Sequence, residues 1–442
     1  MKTNRRDFLA ASAAAAIFPV PILGLQSKDK KYRTALIGSG WWGMNILREA
    51  MAAGESKVVA ICDVDENMLT PAAAEVEKLS GDQPQRYKDY REMLARENPE
   101  IVIVGTPDHW HALNMIAAVN SGAHVYVEKP IGHTIKEGRA MVNAARAAKR
   151  IVQVGTHRRI SPHNVSGREF IKSGRLGKIG MVRCFVHYGG GPETPVPNTE
   201  PPKGLDWDMW CGPAPLRPFN KSIHTRGFRN FLDYANGTLG DWGVHWIDQI
   251  LWITGERAPR KVFSTGGRQI AGPAVNTKEA QTPDAPDHQV AVYEFENFTV
   301  SWEHRRFAGN NAEKTHPAQA VGCYFYGTNG TFHMGWLDGW TFYPVDPKAP
   351  PIHEEARLNQ PDAQNIKELW ADFLDAIKTG RKPVSDIEEI HYSTNASLLG
   401  MLSYRLGRSI QWDSAREQVI GDEEANRLLS RKYRGAWKYP RA

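Results

Sequence analysis

The chain is poor in cysteine, has no dense block of positive charge and holds a single long apolar stretch. Each scarcity removes a class of function. The four cysteines, Cys62, Cys184, Cys211 and Cys323, are widely spaced and contain no CxxC pair. They form no zinc signature and imply no structural disulfide. Net charge is +6, from 55 Lys and Arg against 49 Asp and Glu, and the excess is unclustered, so nucleic-acid binding has no support. The apolar run Leu9–Leu25 is short for a spanning helix, mostly alanine at its start, and interrupted by Pro19 and Pro21. What is there is ordinary for a globular protein: 41% apolar and 24% charged residues. At 442 residues the chain is too long for one average core and predicts two domains with appendages.

Lys2, Arg5 and Arg6 precede the apolar run, as in a signal peptide. The stretch Asn4–Leu9, NRRDFL, resembles the bacterial twin-arginine export signal, a receptor-read address rather than an anchor. Residues 1–31 are therefore expected to be a signal and linker, the twin-arginine export machinery a partner, and the protein periplasmic or otherwise exported. No convincing small-x-small cleavage site precedes Leu25, which leaves an uncleaved N-terminal membrane anchor open. The bland alternative is a coincidental basic helix.

From Tyr32 strands and helices alternate. Strands are expected at Thr34–Ile37, Val58–Cys62, Ile101–Val104, His124–Val127 and Ile151–Val154. Helices are expected to Ala53, over Glu66–Leu79 and Tyr87–Glu97, and from His109 and Thr134. This alternation implies a parallel sheet covered on both faces. After Gly155 the pattern changes. A helix near Pro162–Lys172 and a strand at Met181–Tyr188 precede the Pro/Gly-rich stretch Gly189–Pro218, too long for a turn and so a candidate active-site or subunit-contact loop. Hairpin-like pairs follow at Val290–Phe295 with Phe298–Trp302 and Cys323–Tyr326 with Gly330–Met334. Helices at Ile366–Thr379 and Ile387–Leu406 close the pattern. The predicted fold is α/β: a Rossmann dinucleotide domain over 32–155, an α/β domain with a mostly antiparallel open sheet over 156–412, and a tail over 413–442 packing on the body.

The stretch LIGSGWWG sets Gly38, Gly40 and Gly43 in G-x-G-x-x-G spacing, with Trp42 between the last two. It follows a strand, opens a helix and is answered by Asp63 at the end of the second strand. Gly38 permits the tight turn, Gly40 lets the backbone approach a pyrophosphate, and Gly43 lets helix and sheet pack closely. The helix N-terminus meets the phosphate charge with free N–H groups. Asp63 can accept from an adenosine ribose and would repel a 2′-phosphate, which favours NAD over NADP. A glycine turn used only for packing is the alternative.

GTPDHWH (Gly105–His111) and YVEKP (Tyr126–Pro130) fall at strand C-terminal ends, where open parallel sheets bind ligands. GTLGDWGVHWID places Asp241 and His245 four apart, on one helix face. Together these stretches resemble the Gfo/Idh/MocA oxidoreductases, which include glucose–fructose oxidoreductase and inositol dehydrogenase. The resemblance covers nearly the whole chain from Tyr32. It implies that Lys129, Asp241 and His245 line the site where a sugar meets the nicotinamide, and that Thr106, Pro107, His111 and Glu128 wrap the nicotinamide half. His111 is equally readable as a cap on the helix it begins. The chemistry suits these types: His245 as general base, Lys129 polarising the forming carbonyl oxygen, and Asp241 orienting the imidazole or binding a further hydroxyl. Arg158, within THRR, and Tyr234 are candidate substrate contacts, against a surface basic turn and ordinary packing.

His109, His111, His224, Asp241 and His245 contain no HExxH or clustered ligand set, so no metal is expected. By family analogy a homo-oligomer, dimer or tetramer, is expected. Three functions stay open: an NAD-dependent oxidoreductase acting on a sugar or glycoside hydroxyl, a glycosidase working through a transient 3-keto sugar with NAD used catalytically, and a non-catalytic sugar-binding relative. The twin-arginine route carries folded proteins, so an exported nicotinamide enzyme would cross with NAD seated and hold it tightly.

Overall fold

The computed structural model describes residues 31–309, 320–359 and 364–441. The NRRDFL stretch and the apolar run lie outside the described residues. Six short strands, β1 (Tyr32–Ile37), β2 (Ser56–Cys62), β3 (Gln85–Tyr87), β4 (Ile101–Val104), β5 (His124–Val127) and β6 (Val152–Val154), form the first sheet. Its order is β3-β2-β1-β4-β5-β6 and every pairing is parallel. The four residues of β4, Ile-Val-Ile-Val, are all buried, because helices cover both faces. Those helices are α1 (Trp41–Ala52), α2 (Glu66–Ser80), α3 (Tyr90–Glu97), α4 (Asp108–Asn120) and α5 (Ile135–Ala147). Strand order reverses between β1 and β4, so the crevice beyond their C-terminal ends is the expected ligand position.

The helix expected over Tyr87–Glu97 is shorter. Tyr87 pairs with Cys62 as the end of β3, and the Asp89 side chain caps α3 by accepting the N–H of Arg91. Two glycines fix the first turn. Gly38 has a φ of +91°, and a Cβ there would lie 2.8 Å from the backbone of Gly105 and Thr106. A Cβ on Gly43 would collide with the carbonyl oxygen of Gly38.

The second unit begins with α6 (Pro162–Lys172) and β7 (Ile179–His187), then β8 (Val196–Pro197), α7 (Trp207–Cys211) and α8 (Gly237–Thr254). It continues through β9 (Lys261–Gly267), β10 (Ala280–Gln281), β11 (His288–Glu294), β12 (Thr299–Arg305), β13 (Val321–Gly327), β14 (Gly330–Gly335), β15 (Trp340–Pro344) and β16 (Ile352–Glu354). Helices α9 (Ile366–Thr379) and α10 (Ile387–Leu406) and strands β17 (Ile410–Asp413) and β18 (Gln418–Val419) follow. Ten of the strands build one sheet, antiparallel except where β7 and β12 run parallel. Its inner face shares a core with α8 and α10 through Trp246, Trp302, Tyr293 and Leu399. On its outer face Met181, Phe263, Val290 and Val292 are exposed.

The contiguous division at residues 155 and 412 is crossed by the chain. Helix α9 returns to the first sheet, burying Leu369, Trp370 and Phe373 against Leu36, Ile46 and Tyr126. The tail reaches the first unit: Tyr433 Oη donates to Glu137 at 2.6 Å, and the Trp437 ring meets Trp110 edge-on at 4.9 Å.

Candidate active site

A cleft of about 1090 Å3, counting its open mouth, follows the C-terminal ends of β1, β2, β4 and β5. Its wall on the first unit includes Gly38, Gly40, Trp42, Asp63, Thr106 and Pro107. Gly40 is the N-cap of α1, no side chain caps that helix, and a Cβ on Gly40 would meet nothing within 4 Å. The empty space and uncapped helix end fit the pyrophosphate of a dinucleotide. Asp63 accepts the Ser39 N–H at 2.7 Å and the Asp65 N–H at 3.0 Å. Burial pushes its carboxyl up, opposed by these neutral donors. Uncharged hydroxyls suit such a carboxylate, and a second anion does not, so the residues fit NAD.

His111 also lines the cleft, but it does not cap α4, whose N-cap is Pro107 without a side-chain hydrogen bond. Its ring lies between the Thr106 and Pro130 carbonyl oxygens, 2.7 Å from each. Burial lowers it to about 4, so the ring is neutral and donates to one of these two carbonyls, packed between the turn after β4 and the turn after β5. Glu128 is buried, which pushes it up to about 6 against the pull of Lys129. A Cβ on Gly155 would occupy the place of the Glu128 carboxylate, so glycine there makes the room.

At the far edge of the cleft Lys129 Nζ donates to Asp241 Oδ1 at 2.6 Å and to the Asp241 carbonyl oxygen at 3.1 Å. Arg229 Nε stands 3.4 Å from the same carboxylate oxygen. Burial alone would raise Asp241, but the two cations outweigh it and hold the carboxyl below its usual range. One turn further along α8, His245 is buried, and burial, Lys129 and Arg158 drive its pKa well down, leaving a neutral imidazole. Asp241 and His245 do not line the cleft; Lys129 does, and its ion pair with Asp241 connects the cleft to α8. His245 sits among aromatic rings: Trp336 at 5.0 Å, Trp242 at 5.6 Å and His157 at 5.6 Å between centroids.

Two expected substrate contacts are placed elsewhere. Tyr234 is fully buried in a small core with Trp210 and Phe231, its hydroxyl donating to the Pro215 carbonyl at 3.1 Å. Arg158 is buried too. It stacks 3.9 Å from the Trp336 ring centre and donates to the Trp336 carbonyl at 2.9 Å, so it positions that indole and does not face the cleft. Neither Arg158 nor its neighbour belongs to a surface turn, since Arg159 makes a buried ion pair with Asp248 at 2.8 Å.

Asp108, Arg229, Trp242 and Trp336 also stand at the site. Asp108 was visible inside GTPDHWH and Trp242 beside Asp241. Nothing local marks Arg229 or Trp336, which arrive from distant segments. Asp108 lines the cleft, and burial pushes it up to about 7 despite Arg229 nearby. Among the described residues no group of three or more metal-ligating side chains occurs.

The fold and cleft define a two-domain α/β protein that binds a dinucleotide. Residues 32–156 match the oxidoreductase family's NAD-binding Rossmann fold, and residues 182–279 and 338–439 match that family's C-terminal alpha/beta domain. The chain belongs to the Gfo/Idh/MocA oxidoreductase family. It is 28% identical over 242 residues to the rhizopine catabolism protein MocA of Rhizobium meliloti, a match covering 55% of this chain and 63% of that protein, less than two thirds of its length. It is 24% identical over 288 residues to the D-glucoside 3-dehydrogenase of Escherichia coli, covering 64% of this chain and 72% of the relative. Among solved structures, levoglucosan dehydrogenase in complex with NADH and levoglucosan superposes with a TM-score of 0.65 at 18% identity, covering 86% of this chain and 99% of the other.

Proposed function

We propose that the protein is an exported NAD-dependent oxidoreductase that oxidises a secondary hydroxyl of a sugar or glycoside and keeps its cofactor bound between turnovers. The observation that carries this reading is the Lys129–Asp241 ion pair of 2.6 Å at the edge of the dinucleotide cleft, with neutral His245 one helical turn away. Bound NAD supplies the hydride acceptor. Lys129, oriented by Asp241, holds the substrate hydroxyl and polarises its oxygen as the carbonyl forms. His245, unprotonated across the neutral range, has a lone pair for the hydroxyl proton. The half-buried indole of Trp242, backed by Trp336 at 4.8 Å, offers an apolar wall for a sugar ring. The printed names of the glucoside and levoglucosan dehydrogenases support the substrate class. The twin arginines support export, and the exposed Met181, Phe263, Val290 and Val292 on the open sheet support a homo-oligomer.

The test is to purify the protein without stripping it and add a panel of glycosides. Cofactor reduction that turns over only with an external acceptor supports the reading. Glycoside cleavage with no net reduction replaces it with the redox-neutral glycosidase, and binding without any conversion replaces it with a sugar-binding relative.

A further inference from the structure

The stretch between β7 and α8 does more than connect them. It carries its own small core, in which Trp207, Trp210, Phe219, Phe228 and Phe231 pack together. It is also stitched to the first unit beside the cleft. Glu66 N–H donates to the Gly204 carbonyl at 3.0 Å, Asp206 N–H to the Val64 carbonyl at 3.0 Å, and Trp110 Nε1 to the Trp210 carbonyl at 2.9 Å. From this base residues 224–229 cross the cleft opposite the glycine turn. One end is held where His224 Nε2 stands 3.4 Å from Asp65, two residues past the ribose-reading Asp63. The other end is held where Arg229 meets Asp241 at 3.4 Å.

Between these anchors, exposed Arg226 lies over the ring of Trp41, the first residue of α1, with its guanidinium 4.1 Å from the ring centre. Both side chains line the cleft, next to the empty space at Gly40. Among the described residues Arg226 forms no ion pair with a carboxylate. An arginine stacked on an indole keeps its N–H edge free, and that edge matches phosphate oxygens in pairs. A dinucleotide pyrophosphate brings two negative charges to a helix end that offers only about half a positive one.

We propose that residues 224–229 form a strap across the bound dinucleotide and that Arg226 is a pyrophosphate-binding residue that slows cofactor release. The proposal rests on the NAD assignment and adds a residue from outside the glycine-rich turn. The cation is supplied by the second unit, so release requires either breaking the contact or sliding the cofactor beneath the strap.

The test measures binding of NADH, ADP-ribose and adenosine to wild type, Arg226→Ala and Arg226→Lys, with NADH release followed by stopped-flow fluorescence. Loss of one charge-assisted phosphate contact predicts about tenfold weaker NADH and ADP-ribose binding in Arg226→Ala, faster NADH release, and adenosine affinity unchanged. Arg226→Lys should recover part of the loss. Unchanged NADH and ADP-ribose affinity in Arg226→Ala overturns the proposal, as does an equal loss for adenosine, which would mean that the residue only shapes the cleft. Failure of the wild type to bind NADH overturns the cofactor assignment together with the strap.

Discussion

The cofactor cleft and the site at its edge each hold a half-buried carboxylate, and they treat it in opposite ways. At the cofactor end Asp63 meets only neutral donors, from Ser39 and Asp65, and its affinity for a proton rises. At the catalytic end Asp241 meets Lys129 and Arg229, and its affinity for a proton falls. Burial acts on both in the same direction, so the cations decide the outcome. The cofactor end is built from backbone and open space to receive hydroxyls and phosphates. The other end is a fixed charge arrangement beside a neutral histidine.

The sharpest way to break the comparison at the cofactor end is to fill its space. Gly40→Ala adds a methyl group that meets nothing in the protein, so the thermal midpoint of the ligand-free protein should stay unchanged. Overpacking against the pyrophosphate should weaken NADH binding by tenfold to about a hundredfold. Gly43→Ala is the control that fails differently, since its methyl group collides with the Gly38 carbonyl and should lower the midpoint itself. Calorimetry with and without NADH separates the two.

The next effect concerns pH. Asp108 is pushed up to about 7 and Glu128 to about 6, above the unfolded carboxyl value of about 4. The folded state therefore binds these protons more tightly than the unfolded one. Their contribution to stability is greatest in acid and is lost as pH rises from about 4 towards about 7. Asp108→Asn should flatten that slope and raise the midpoint of the ligand-free protein at pH above 7. A slope identical to wild type in a urea titration series would show that Asp108 carries no such penalty.

The smallest effect tests a residue that only resembles a site residue. Tyr234→Phe removes the hydrogen bond to Pro215 in the small aromatic core and should cost about 1 kcal/mol of stability. It should leave KM for the sugar unchanged, and a raised KM at wild-type stability would return Tyr234 to the substrate.

The first sheet was legible because each strand is a short apolar run and each site motif follows a strand end. Gly38, Gly40, Gly43, Asp63 and Thr106 are read within a few residues of the turn that places them. Helix boundaries such as Pro162–Lys172 and Ile366–Thr379 were equally plain, yet the partner of the latter was not, since nothing in its sequence tells which sheet it covers. The catalytic end was only half legible. Lys129, Asp241 and His245 stood in motifs, whereas Trp336 follows β14 and Arg229 lies in the loop between β7 and α8, and only tertiary packing brings them beside α8. Arg158 and Tyr234 misled for the same reason: a basic or aromatic residue near a motif looks the same in sequence whether it faces a ligand or the core.

In the proposed reaction Lys129 polarises the substrate oxygen and His245 takes its proton, while the rest of the cleft holds NAD. The direct test is a single-turnover reduction of bound NAD by a glycoside that the wild type oxidises, run on Lys129→Ala and His245→Ala with cofactor occupancy measured in the same samples. The account predicts full occupancy and rates lower by about 10²–10⁴-fold in both variants. Near wild-type rates in either variant at full occupancy would contradict it.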